Sequence, residues 1–179
     1  MVDPWQTLSE SKCLKLRCFR RKQSQNSLTL GTISAQNSPE HMPKQSAPKK
    51  KLSRRELRDL DVEIGFLKGV VGRDPGFVEA LQVLGDAYTK RGRFDAGLEV
   101  DEALSKLCPR DPMVLYNLAC SYALTKRHEQ AGLALLRALD MGYSDFKWLM
   151  KDPDLESLRK HPAFEKIRAK VKKVAIRVH

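Results

Sequence analysis

No stretch of this chain approaches the roughly twenty consecutive apolar residues of a membrane-spanning helix, so no transmembrane insertion is expected. A secretory signal is not expected either. The basic cluster KCLKLRCFRRK runs straight into polar QSQNS, where an apolar core should begin. Cysteine is scarce: Cys13, Cys18, Cys108 and Cys120 contain no C-x-x-C pair, and they read as reduced cytoplasmic thiols. The chain also lacks a G-x-x-x-x-G-K-[ST] phosphate loop, a G-x-S-x-G elbow and an H-E-x-x-H helix. His41, His128, His161 and His179 are scattered without ligand spacing. The sequence therefore predicts no enzyme, no metal and no cofactor.

Charge is plentiful, and its placement matters more than its sum. The formal net charge is +11, with 31% charged residues and a mean hydropathy of −0.47. Residues 1–55 hold 12 Lys+Arg against 3 Asp+Glu, residues 56–151 hold 13 against 15, and residues 152–179 hold 8 against 4. The middle is slightly acidic and the ends are basic. Segments such as KLRCFRRK and KKKLSRR suit weak, salt-sensitive contact with phosphates. They lack the interleaved aromatics that would read bases, Phe19 excepted.

Residues 1–51 are rich in Ser, Gln, Asn, Pro and Lys without sustained periodicity, the pattern of a disordered tail. Met42 offers an alternative start. Order is expected from Ser53, where SRRE forms a capping box ahead of Leu57, Leu60, Ile64, Leu67 and Val71. Gly72 is expected just past that helix, with Asp74 capping the next and Pro75 at its first position. Gly92 should end the second helix, and a third should run over 94–107. Asp111 and Pro112 begin a fourth, and a fifth covers about 128–141 and stops at Gly142. Ser144 should cap a short turn through DFKWLM. Asp152-Pro153 and His161-Pro162 look like further helix starts, with Asp152, Asp154 and Glu156 as helix-start charges. The last helix aligns Phe164, Ile167, Val171, Val174 and Val178, which suits a soluble cap or, alternatively, a basic surface-binding helix. No segment reads as a strand, so the fold class is all-α.

One interval organises these helices. Leu81, Leu84 and Tyr88 recur as Leu115, Leu118 and Tyr122, each pair 34 residues apart (115−81, 118−84, 122−88). Helix pairs written at such a period form solenoids, because each pair leaves an apolar face that only its neighbour can cover. The residue types resemble the tetratricopeptide repeat family. The first repeat offers Leu81, Leu84, Gly85, Tyr88, Gly92, Phe94, Gly97 and Pro109. The second offers Leu115, Leu118, Ala119, Tyr122, Ala131 and Ala138. It departs from the pattern with Lys126 and His128 at the turn and Tyr143 in place of Pro. The ending GYSDFKWLMKDPDLESLRKHPAFEKI resembles one common after bacterial repeats of this family.

The resemblance implies a short right-handed α-solenoid over residues 52–179: a half-unit at 53–74, repeats at 75–110 and 111–143, and terminal helices over 144–178. It further implies a concave groove lined by the first helices. Glu79, Gln82, Asp86, Thr89 and Lys90 would face it from one repeat, and Met113, Tyr116, Cys120, Ala123 and Leu124 from the next. That groove, acidic at one end and apolar at the other, would hold a partner peptide or helix with apolar and basic residues. The competing reading is that these residues coat a surface or meet the C-terminal helices. Asn117 matches a family carboxylate clamp, but Asp86 would repel a carboxylate, so no clamp is expected. The expected function is a cytoplasmic, bacterial-type interaction scaffold for a protein partner, without a small-molecule substrate. The alternative is an adaptor to nucleic acid or anionic surfaces through the basic termini.

Overall fold

The computed structural model describes residues 52–177, the side chains of 174–177 excepted. The expected tail over 1–51, Met42, Cys13, Cys18, His41, His179 and the outermost stripe positions Val174 and Val178 lie outside what is described. Among the described residues the chain is all-α, with no strand, and no helix is long and apolar enough to cross a membrane.

Ser53 caps α1 (Arg54–Arg73) as expected. Its hydroxyl accepts from the Glu56 N–H at 3.2 Å, and the Glu56 carboxylate accepts from the Ser53 N–H at 2.7 Å. Ile64 and Leu67 are buried on the inner face, with Leu60 and Val71 packed beside them. Gly72 sits inside this helix rather than past its end.

The next start also differs from expectation. α2 spans Val78–Arg91, with Phe77 rather than Asp74 in the cap position. Asp74 instead closes α1 through its own N–H, and its carboxylate accepts from Gly76 in a tight turn at 3.0 Å. Pro75-Gly76 suits this turn, proline fixing its first corner and glycine being a poor helix former. Asp111, with no following glycine, does cap. It accepts from Met113 at 2.8 Å and Val114 at 3.3 Å, with Pro112 opening α4 (Pro112–Leu124).

Between them, α3 occupies Phe94–Leu107, and α5 follows at His128–Asp140. The backbone repeats its bonds at the same interval as the side chains. Arg93 N–H donates to the Tyr88 carbonyl at 2.9 Å and Arg127 to that of Tyr122 at 2.8 Å. Asp74 donates to Val70, and Cys108, 34 residues on, donates to Leu104. Gly92, at φ 79°, turns the chain in the left-handed region that glycine tolerates. Lys126 holds the corresponding position at φ 61°.

Asp145, not Ser144, caps α6 (Phe146–Leu149), accepting from the Trp148 N–H at 2.9 Å. A 3-10 turn at Pro153–Leu155 leads into α7 (Glu156–Arg159), and α8 runs over Phe164–Arg177.

Consecutive helices pack on one another from α1 to α5. α8 lies on α5, and the 3-10 turn and α7 lie on α4. Two apolar clusters result. One joins α1, α2, α3 and Val114; the other joins Leu98, α4, α5, Tyr143 and the C-terminal Leu149, Leu155, Leu158, Phe164 and Ile167.

Candidate partner-binding surface

α2 and α4 carry the residues expected to line a groove, and the interval of 34 makes them direct counterparts. Glu79 answers to Met113, Gln82 to Tyr116, Asp86 to Cys120, Thr89 to Ala123 and Lys90 to Leu124. Their surroundings are not alike.

On α2 these residues share one band of the helix. Glu79, Gln82 and Lys90 are exposed, and Asp86 and Thr89 are half-buried. Val83 lies in the same band, 44% exposed, and the sequence reading missed it. Its only signal is its spacing: four residues after Glu79 and three before Asp86 on one helical surface. Asp101 of α3 stands behind this band. Its carboxylate accepts from the Ser121 hydroxyl at 2.5 Å. Burial pushes the Asp101 carboxyl up to about 6, the Ser121 bond opposes the rise, and the charge of Asp86 adds to it.

On α4 the corresponding band is covered, which corrects the expectation that Tyr116 and Cys120 face an open groove. Tyr116 is 4% exposed and Cys120 is likewise buried. Met113 is half-buried and packs on the second cluster, and Leu124 is half-buried. The cover is the chain's own C-terminal segment. Tyr116 donates its hydroxyl to Oδ2 of buried Asp152 at 2.6 Å, and its ring stacks on Tyr143 at 4.2 Å between centroids and 4° between planes. Cys120 Sγ lies 3.8 Å from the same Asp152 oxygen. Ser157 donates to the Ala123 carbonyl at 2.9 Å.

Asp152 therefore holds two roles. Oδ1 accepts from the Asp154 N–H at 2.9 Å, the helix-start duty read from the sequence, while Oδ2 anchors the segment to α4. The Arg159 guanidinium donates to the Asp152 carbonyl, tying α7 to the same corner. Burial, with the nearby Cys120 and Asp152, pushes the Tyr116 phenol well above its ordinary value. Burial also raises the Cys120 thiol, and the charges of Asp152, Asp154 and Asp101 raise it further. Both groups are held neutral, so neither is activated for chemistry.

Among the described residues no cluster of three or more His, Cys, Asp or Glu is arranged to hold a metal ion. The geometry leaves an open, partly acidic band on α2 beside a closed apolar one on α4. Such a surface can attract a cationic segment and bring it against Val83.

No family model matches this chain. It is similar to a protein of Arabidopsis thaliana described by its name as chloroplastic, at 44% identity over 82 residues, which cover 44% of this chain and 24% of that protein. The chain thus spans about a quarter of the length of the relative it matches.

Proposed function

We propose that this chain is a protein-interaction module of tetratricopeptide type, a short right-handed solenoid of antiparallel helix pairs that holds a partner polypeptide against α2. The observation that carries this reading is the contrast at one repeat position. Gln82 is open to solvent, while Tyr116, 34 residues later, is sealed by the chain's own residues 152–159. The α4 band already holds a polypeptide segment, which supports the view that the equivalent band on α2 accepts one from outside. Glu79 and Asp86 favour a basic segment there, and Val83 provides an apolar contact. The apolar half of the expected groove is not part of this proposal, because it is filled internally.

The test is a photo-crosslinker placed at Gln82 in the full chain, with cross-linked polypeptides mapped after capture from the native source. Cross-links to basic segments, lost in Glu79→Lys with Asp86→Lys, support the reading. The adaptor alternative, nucleic acid or an anionic surface held by the basic termini, would instead show binding that survives the double reversal. Such binding would fall steeply with salt and vanish on removal of residues 1–51.

Location is a separate matter. The relative's name places that protein in the chloroplast. Residues 1–51, basic, serine-containing and poor in acids, have a composition compatible with an organelle leader. We put a plastid location ahead of the cytoplasmic one. A fluorescent reporter fused after residue 51 that stays diffuse in the cytosol of plant cells would overturn that.

A further inference from the structure

One interior position of the repeat reads Leu67, Asp101 and Leu135 (67+34, 101+34), and all three side chains are buried. Leucine suits such a place, and burying a carboxylate there costs free energy that leucine would not. Departures of this kind concentrate where function rather than folding sets the residue. Here the departure falls in the repeat whose outer band is open, while the repeat whose band is closed keeps Leu135.

Asp101 is wedged between α2 and α4, directly behind the band. A Cβ at Gly85 would stand 3.2 Å from Asp101 Oδ1, so glycine beside Asp86 is what admits the carboxylate against α2. From α4 the Ser121 hydroxyl donates to Oδ2 at 2.5 Å, and the Cys120 thiol is close enough to feel the Asp101 charge. From α2, Asp86 acts on it as a like charge. Lys90, one turn further along α2, is the basic residue of the band. On α3 itself Glu102, the next residue, accepts from the Tyr122 hydroxyl at 2.9 Å.

Asp86 at the surface and Asp101 behind it thus oppose one another's ionisation. A cation set against Asp86 offsets that repulsion and draws Asp101 toward its charged form. Granted the α2 band as the docking surface, we propose that Asp101 regulates it through a proton: a basic segment docking beside Asp86 expels the Asp101 proton to solvent, and the ionised carboxylate then strengthens the hold. The Ser121 hydroxyl is already in place to donate to that carboxylate. The sign follows from linkage. The carboxyl of the unoccupied chain is pushed up to about 6, so affinity for a cation should climb as pH rises through that value and level off above it.

The probe is a fluorescent synthetic peptide of lysines and leucines, titrated by anisotropy against the full chain at pH 5 and pH 7.5 and one ionic strength. Wild type should bind about three- to tenfold more tightly at the higher pH. Asp101→Asn keeps an acceptor for Ser121 but cannot ionise. At pH 7.5 it should bind only about as tightly as wild type does at pH 5. A wild-type affinity that does not rise with pH, or a rise that Asp101→Asn retains, overturns the inference and leaves the α2 reading standing. A peptide that fails to bind, or that binds equally to Glu79→Lys with Asp86→Lys, overturns both. Carboxyl-carbon NMR of Asp101 supplies a check without a ligand. Asp86→Lys, which sets a cation where the partner's would lie, should lower the Asp101 midpoint by at least about half a pH unit. Asp86→Asn should lower it by less, and serves if the lysine variant misfolds. An unmoved midpoint in the folded variants overturns the inference.

Discussion

The Tyr116 hydroxyl donates to Oδ2 of Asp152 at 2.6 Å, joining residues 36 positions apart in an interior that solvent does not reach. Because the same carboxylate receives the Asp154 N–H, this corner fastens the C-terminal segment to α4 and also starts that segment's first turn.

Asp152→Ala should therefore destabilise the chain by about 2–3 kcal/mol, since it strands a buried hydroxyl and removes a helix-start acceptor. Tyr116→Phe should lose about 1–3 kcal/mol by leaving the carboxylate without its buried donor. The double variant should lose less than the sum, because both changes break one contact. Urea midpoints measure all three. Strict additivity would mean that the bond couples nothing.

Lys126 occupies the left-handed region at φ 61°, where its counterpart is Gly92 at φ 79°. A residue with a Cβ is disfavoured there by about 1 kcal/mol. Lys126→Gly should accordingly raise stability by up to about 1 kcal/mol, and Gly92→Ala should lower it by a similar amount. Thermal melts of the two variants should move in opposite directions. A shift of both in the same direction would refute the shared turn geometry.

Asp101 sets a pH dependence whose sign is unusual for a carboxylate. Its folded value, pushed up to about 6 by burial, lies above the ordinary 3.8. Between those values the folded chain keeps a proton that the unfolded chain has released. This group's contribution is thus greatest below about pH 4 and is lost as the pH rises through about 6. The loss is on the order of 2–3 kcal/mol. Asp101→Asn, still able to bond Ser121, should gain stability relative to wild type at pH 7.5 and lose that gain at pH 4. Guanidinium unfolding at the two pH values measures this, and an advantage that does not change with pH would exclude Asp101 as the cause.

Cys108 and Cys120 are buried, and the Cys120 thiol is pushed up by burial and by neighbouring carboxylates. Thiolate is the reactive form, so alkylation at pH 8 should leave Cys120 unmodified in the native chain and label it in urea. Asp152→Ala should speed native labelling by loosening the cover. Mass spectrometry of peptides resolves each site. Rapid native labelling of Cys120 in the wild type would contradict the closed α4 band.

Much of the helical layout was legible because its causes are local. The SRRE box, the Gly92 turn and the apolar spacing over 94–107 act within a turn or two of chain, and α3 occupies the expected residues. The Asp-Pro signal failed once for a local reason as well. Asp74 and Asp111 are 37 residues apart (111−74), out of step with the 34-residue register, and Pro75 is followed by Gly76. The register itself pointed to Phe77 as the counterpart of Asp111, and that is where α2 is capped.

The candidate surface was legible only by halves. Gln82 and Tyr116 hold the same place in the repeat; the polar residues around Gln82 and the apolar ones around Tyr116 suit an open and a closed band, but they do not say what does the closing. Asp152 looked like a helix-start charge, and locally it is one. Its second bond, to Tyr116, depends on a fold-back of 36 residues that no short-range pattern records.

The sequence by itself determined which residues become helix, where most of those helices stop, and that they repeat every 34 residues. Those outcomes follow from backbone preferences and apolar spacing over a few residues. Tertiary structure alone decided what closes the α4 band, because burial at Tyr116 and Cys120 arises from a distant segment packed onto it.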